Sequence, residues 1–498
     1  MTSPDAFRRI RTGLLFFITG SMLAGCPSEP PPSPPTDFRS VNELRVGTRL
    51  DTISFQFDEN EKAFGLEYDL LTAFAKTQGI PVTFTVYPDS QQALRALAEN
   101  KVHLVAAGLA RDENLPFKWS PPLRELEYVL VSRRYGLEIE TESELAGKTI
   151  VVREKSYLAG ILQQMASRIP GLMIEQTAKS DQALLAGLAK GEYDLVASDS
   201  IHFNFATQVY PTLTVAWELD ASAQIALAMP DDPGDPLPEA ISLFLESEEG
   251  QTTLAKISDR YIGHVQRLDQ YDIAVFLKRI ETRLPAYRPF FEEAEQATGI
   301  DWRYLAAVSY QESHWNPSAV SRTGVRGMMM LTSETADWLG VTNRLDARQS
   351  IMGGSRYLSM LKNQLPDTIS DPDRTWIATA SYNIGMTPLN NARSLAKRLG
   401  KDNTSWLDMK TVLPLLAKPE YAKQLSGRKV RGGEAVIMTE NVRNFYAILK
   451  RHLALVELEA LESAAEIAET PSDPLEDEQA PANQPPEKTL AAELQPAL

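Results

Sequence analysis

A single cysteine, Cys26, and five histidines serve the whole 498-residue chain. With no second thiol the chain cannot close an internal disulfide, so its stability must come from core burial. His and Cys are too scarce to suggest a metal site, and the sequence implies neither a metal nor a cofactor. Positive charge is also short: 50 Lys and Arg stand against 66 Asp and Glu, a formal charge of −16. That excess argues against nucleic acid as a partner, because phosphate binding wants a basic surface. The apolar run at residues 13–24, GLLFFITGSMLA, is too short to span a bilayer. No repeat is apparent at solenoid periods.

What is present begins with an export signal. Arg8, Arg9 and Arg11 form a basic region ahead of that apolar run, which ends in Leu23-Ala24-Gly25-Cys26. The four residues resemble the lipobox of bacterial lipoproteins. The resemblance implies cleavage before Cys26, lipidation of its thiol and anchoring by acyl chains. A small-residue cleavage site with a chance cysteine is the alternative. Residue 27 is Pro, not the Asp that retains such lipoproteins at the inner membrane, so the outer membrane, on its periplasmic face, is expected. Residues 1–26 thus read as signal and 27–38 as a Pro-rich, semi-extended linker. At the other end, residues 456–498 are acidic, Pro/Ala-rich and free of aromatics, which reads as a fraying helix end followed by a disordered tail.

Between these ends the chain changes texture once. Residues 39–265 alternate short β-branched runs (LRVGTR, VTFTVY, KTIVVRE, DLVAS) with amphipathic helical stretches such as GLEYDLLTAFAKTQG. Such alternation predicts a mostly parallel α/β sheet in two lobes. Residues 266–455 show helical spacing in segment after segment, DIAVFLKRIETRL and MTENVRNFYAILKRHL among them, and predict an all-α domain with its own core.

The first half carries Gly65-Leu66-Glu67-Tyr68-Asp69-Leu70, Trp119-Ser120-Pro121-Pro122, Gly147-Lys148-Thr149-Ile150-Val151-Val152 and Gly191-Glu192-Tyr193-Asp194-Leu195. In this order the pieces resemble the periplasmic solute-binding proteins that recognise polar amino acids. The resemblance implies an Arg that clamps a ligand carboxylate, an Asp that receives its ammonium and a lobe-two hydroxyl. Arg111, Asp199 and Ser156 are the candidates. The segment around Arg111 lacks the usual Thr-Pro-Glu-Arg wording, which is compatible with a peptide ligand or with none.

In the second half, Asp301 is a plausible N-cap for a helix whose buried face includes Leu305, Ala306, Val308 and Ser309, and Asn316-Pro317 should stop it. Glu312 then lies in the last turn, where the helix dipole favours a protonated carboxyl. An acid held at a cleft edge suits glycosidic cleavage; an ordinary surface Glu at a helix end would read the same way. His314 beside it has no ligand-spaced partner and reads as a loop residue.

Glu312-Ser313, Asn316-Pro317, Ser321, Gly324 and Gly327, followed by Ala380-Ser381-Tyr382-Asn383-Ile384-Gly385, resemble in order the two motif blocks of the soluble lytic transglycosylase family. The resemblance implies a lysozyme-like fold that cleaves peptidoglycan glycan strands, with Glu312 as the single catalytic acid and base. It also implies Tyr382 beside that acid, a sugar contact at Ser321 and a structural or saccharide role for Asn383. Where the family loop reads Gly-Leu-Met-Gln, this chain has Gly327-Met328-Met329-Met330, so Met330 offers an apolar contact in place of an amide. The expected architecture is a two-lobed α/β domain followed by a lysozyme-like helical domain. The expected function is a lytic transglycosylase whose first domain senses a muropeptide or amino acid. A lysozyme-type hydrolase and a non-enzymatic muropeptide receptor remain as alternatives.

Overall fold

The computed structural model describes residues 37–469 except 135, 137–138, 266–267 and 423–429. The signal region, Cys26, most of the linker and the end of the acidic tail lie outside the described residues. The chain divides into two compact units, Met1–Gln266 and Arg267–Leu498.

The first unit holds two five-stranded sheets. One contains β1 (Leu44–Thr48), β2 (Val82–Val86), β3 (Leu104–Val105), β4 (Phe117–Trp119) and, from later in the chain, β10 (Ala228–Pro230). Its strand order is β2-β1-β3-β10-β4. The other contains β5 (Arg124–Arg133), β6 (Thr149–Arg153), β7 (Met173–Thr177), β8 (Val196–Asp199) and β9 (Leu213–Ile225), in the order β9-β5-β8-β6-β7. Helices α1 (Leu66–Gln78), α2 (Ser90–Ala98), α3 (Tyr157–Ala166), α4 (Asp181–Lys190), α5 (Ser200–Thr207), α6 (Leu237–Glu246) and α7 (Glu248–Tyr261) belong to the same unit, with a short helix at Phe38–Val41 and a two-stranded ribbon of Gln56–Phe57 and Ala63–Phe64.

The two lobes are as expected; the strand directions are not. β1 pairs in parallel with β2 and β3, and β6 with β7 and β8, but β5 runs antiparallel to β8 and β9, and β10 antiparallel to β3 and β4. A two-lobed chain explains this. β5 carries the chain into the second lobe and opposes the βαβ strands there, while β9 brings it back and β10, reached on the return, opposes β3 in the first lobe. The two passages lie side by side: Ser120 and Leu227 exchange backbone and hydroxyl hydrogen bonds of 3.0 Å, and the Leu123 amide donates to Ile225 O at 2.8 Å. Trp119-Ser120-Pro121-Pro122 sits at this crossing.

The second unit is helical among its described residues: α8 (Gln270–Thr282), α9 (Arg288–Thr298), α10 (Trp302–Ser313), α11 (Ser333–Trp338), α12 (Ala347–Asn363), α13 (Asp373–Ile384), α14 (Met386–Arg398), α15 (Trp406–Val412) and α16 (Gly432–Glu469). Both α10 and α13 pack on α16. Buried Phe276, Leu305, Trp315, Met329, Ile377, Trp406 and Leu449 belong to one core. α16 runs on to Glu469, through the helix end expected beyond residue 455, because ELEALESAAEIAE has neither Gly nor Pro to stop it. Among the described residues no helix is long and apolar enough to cross a membrane.

Candidate functional site

Glu312 stands one residue from the end of α10. Asp301 caps the start of this helix, accepting from the Arg303 amide at 2.8 Å. The end comes earlier than Asn316-Pro317 suggests. His314 and Trp315 are both left-handed, with φ 54 and 57, and reverse the chain at once. Trp315 makes the reversal worthwhile: its indole is 1% exposed, donates to Ala306 O at 2.8 Å and packs 4.8 Å from the Tyr310 ring. His314 is exposed, and the Arg283 guanidinium donates to its carbonyl at 3.0 Å. Among the described residues no group of three or more His, Cys, Asp or Glu is placed to hold a metal ion.

The Glu312 side chain is half-buried. Burial pushes its carboxyl up to about 8, and no cation or hydrogen bond among the described residues pulls it back. The group is therefore an acid poised to donate near neutral pH.

The loop after α10 is bound to it through one dipeptide. The Ser309 and Ser313 hydroxyls both donate to Met328 O, at 3.0 and 2.9 Å. From α12, Ser350 Oγ accepts the Met329 amide at 3.2 Å, and from α13, Tyr382 donates to Met329 O at 2.6 Å. Met328 and Met329 are fully buried. Gly354, in mid-helix on α12, admits Met329: a Cβ there would lie 2.5 Å from the Met329 Cβ. Gly327 has no substitute, since at φ 82 a Cβ would fall 1.8 Å from Arg344 O.

Tyr382 was expected beside Glu312. Its hydroxyl titrates well above the usual range because it is buried, and next because the Glu312 charge and Tyr357 lie nearby. Its hydrogen bond, however, goes to the loop and not to the acid. Tyr357 on α12, 5.3 Å from the Tyr382 ring, went unnoticed in the sequence. The Ser321 hydroxyl accepts the Thr323 and Val325 amides, both at 3.2 Å, and so helps to close the loop. Met330 is half-buried and left-handed at φ 49. Asn383 is exposed, with no side-chain hydrogen bond among the described residues that would tie the turn.

The first unit contains a cavity of about 550 Å³ between its lobes, lined by Arg49, Asp51, Arg124, Ser156, Asp199 and His202 among others. Two of the three residues expected there are present but engaged. Ser156 caps α3, accepting the Ala159 amide at 3.1 Å. Asp199 caps α5, accepting the Ile201 and His202 amides at 3.0 and 2.9 Å, and meets His202 Nδ1 at 2.6 Å. Arg111 does not line the cavity; its guanidinium turns to Glu113 on an exposed loop. Arg49 and Arg124, whose segments carry no signal of a ligand site, stand in the cavity wall.

The relatives of this chain share both halves. A protein of Thiobacillus denitrificans named membrane-bound lytic murein transglycosylase F is 39% identical over 434 residues, 86% of this chain and 91% of its own length. The protein of that name from Methylobacillus flagellatus is 38% identical over 445 residues, 88% of this chain and 94% of its own. The chain belongs to the membrane-bound lytic murein transglycosylase F family. Within it, residues 289–405 match the transglycosylase SLT domain, and residues 44–134 match the bacterial extracellular solute-binding proteins, family 3. A solved structure titled an ancestral arginine-binding protein bound to arginine is 25% identical, with a TM-score of 0.40, over 44% of this chain and 98% of that one. In the family's terms, Glu312, the Gly324–Gly327 loop and Tyr382 all fall inside the SLT match.

Proposed function

We propose that the helical unit is a peptidoglycan lytic transglycosylase in which Glu312 is the one acid and base. The protonated carboxyl gives its proton to the glycosidic oxygen between N-acetylmuramic acid and N-acetylglucosamine as the C1–O bond breaks. The carboxylate left behind takes the proton from the muramoyl C6 hydroxyl, whose oxygen bonds to C1 and closes a 1,6-anhydro ring. Glu312 ends protonated, no water is consumed, and a second carboxylate is not required. The observation that carries this reading is the Glu312 carboxyl itself, raised to about 8 by burial with no ion-pair partner among the described residues. In this reading Tyr382 is a positioning residue acting through the Met328–Met329 backbone. Met330 and Asn383 contact the saccharide, and Ser321 shapes the loop.

Membership of a membrane-bound family supports placing the enzyme at the outer membrane, on the periplasmic face, through a lipidated Cys26. The amino-proximal unit serves as a receptor for a wall-derived ligand that modulates the lyase.

Mass spectrometry of sacculus digests tests the lyase. Anhydro-muramoyl ends from the wild type and none from Glu312→Gln are expected. Reducing ends would make the protein a hydrolase, and equal glycan binding without turnover in both would make it a receptor only.

A further inference from the structure

The cleft of the first unit differs from a zwitterion clamp at both poles. At the pole expected to receive an ammonium, His202 already fills the place. Its Nδ1 lies 2.6 Å from Asp199 and its Nε2 3.6 Å from Asp51, so the imidazole stands between carboxylates from the two lobes. Both acids are held well supplied. Asp51 accepts the Ile53 and Ser54 amides at 3.0 Å and the Arg49 guanidinium at 2.8 Å, while Asp199 accepts the two α5 amides. His202 is pushed up to hold its proton by Asp199 and Asp51 against the effect of burial. A ligand ammonium would have to displace an internal cation that is already bonded.

At the other pole, Arg49 is spent: Nε donates to Ala107 O at 3.0 Å, Nη1 to Leu50 O at 3.3 Å and Nη2 to Asp51. Arg124 is different. Its side chain is 10% exposed and lines the cavity, and its buried Nε has no hydrogen-bond partner among the described residues. Its other contacts are long for a guanidinium, 3.4 Å to Glu67 Oε1 and 3.4 Å to Ser54 Oγ; charge-assisted bonds of this kind run at about 2.7–2.9 Å. Glu67 is itself turned elsewhere, accepting the Gly108 amide at 3.0 Å and the Ser54 hydroxyl at 3.2 Å. The remaining cations of the cavity wall are paired, Arg153 with Asp181 and Lys155 with Asp89, or stand exposed, as Arg95 does. A buried planar cation that lines the cavity, with one idle donor and only long contacts for the rest, wants a carboxylate.

We infer that the cleft reads a carboxylate through Arg124 and rejects a free α-ammonium because His202 occupies the Asp51–Asp199 pole. Its ligand class is the N-acylated amino acid or peptide acid, not the free amino acid. The apolar part of the wall, Leu94, Leu115, Phe117 and Trp119, suits the acyl portion. The inference rests on the reading of this unit as a receptor and is independent of the lyase.

Calorimetry on the full chain tests it, with N-acetyl-alanine and alanine, each as both enantiomers, against wild type, Arg124→Lys and His202→Gln. Melting temperatures check that each variant is folded. The wild type should bind an N-acetyl enantiomer at least tenfold more tightly than either alanine. Arg124→Lys, which keeps the charge and loses the fork, should weaken that binding at least tenfold. His202→Gln should raise affinity for free alanine by freeing Asp199. Tighter binding of free alanine by the wild type, or unchanged binding in Arg124→Lys, overturns the inference and leaves the receptor reading standing. No binding by any probe at millimolar concentration overturns both.

Discussion

Tyr382 donates its hydroxyl to the carbonyl of Met329 at 2.6 Å, and its ring lies close enough to Glu312 to feel that carboxyl's charge. One residue therefore fastens the loop to α13 and lies within electrostatic reach of the acid. Tyr382→Phe keeps the ring and removes the fastening, leaving a carbonyl of a buried residue unpaired at a cost of about 1–3 kcal/mol. The expected result is a lower melting temperature and a fall of about tenfold in kcat, by analogy with other misplacements of catalytic geometry, with KM little changed. A rise in KM alone would show that the hydroxyl acts on the saccharide instead.

The Glu312 carboxyl, raised to about 8, sets two pH dependences of opposite use. As general acid it works only when protonated, so activity on isolated sacculi should hold through neutral pH and fall as pH rises past about 8. For stability, its folded pKa lies above the unfolded value of 4.5, so the folded state binds this proton more tightly. That contribution is complete below the unfolded pKa and is lost as pH rises through about 8. Glu312→Gln should therefore melt higher than wild type at pH 8 and alike at pH 4, while releasing no anhydro products. Melting curves at the two pH values check the first part.

Gly327 is required twice, by its φ of 82 and by Arg344 O standing 1.8 Å from where a Cβ would be. Gly327→Ala must move backbone, and neither side of the contact is a flexible side chain. Destabilisation of several kcal/mol and loss of lytic activity are expected. Circular dichroism melts together with a sacculus-clearing assay would decide; wild-type behaviour in both would mean that the loop can re-form elsewhere.

The motif blocks around Glu312 and Tyr382 made the helical site legible, because their residue types are fixed by backbone demands that a sequence displays: a glycine at positive φ and a cap at Asp301. The helix end was less so. Pro317 is a visible stop, but the true stop is the burial of Trp315 against Tyr310 and Phe276, a tertiary event with no local signal. Gly353-Gly354 did leave a signal, two glycines inside an amphipathic helix, and the close approach of Met329 is its reason. α14 forms although Pro388, Asn390 and Asn391 are residues common in turns, since proline in a first helical turn is favourable. In the first unit, local wording located the lobes and Asp199 but chose Arg111. Which arginine enters the cleft depends on β5 crossing between lobes, and that antiparallel passage cannot be seen from strand–helix alternation.

Ser309 and Ser313 share one acceptor, Met328 O, at 3.0 and 2.9 Å, and Ser313 Oγ also lies 3.2 Å from Ser309 O. A carbonyl has two lone pairs, so deleting either hydroxyl leaves the carbonyl satisfied by the other. Ser309→Ala and Ser313→Ala should each cost about 1 kcal/mol. The double variant strands a buried acceptor and should cost more than the sum of the two, with a coupling of about 0.5–3 kcal/mol. Because Ser313 adjoins Glu312 and Met328 belongs to the loop, kcat should follow the same non-additive pattern. Urea melts and turnover on the same four proteins measure both; strictly additive losses would mean that the two hydroxyls hold the loop independently.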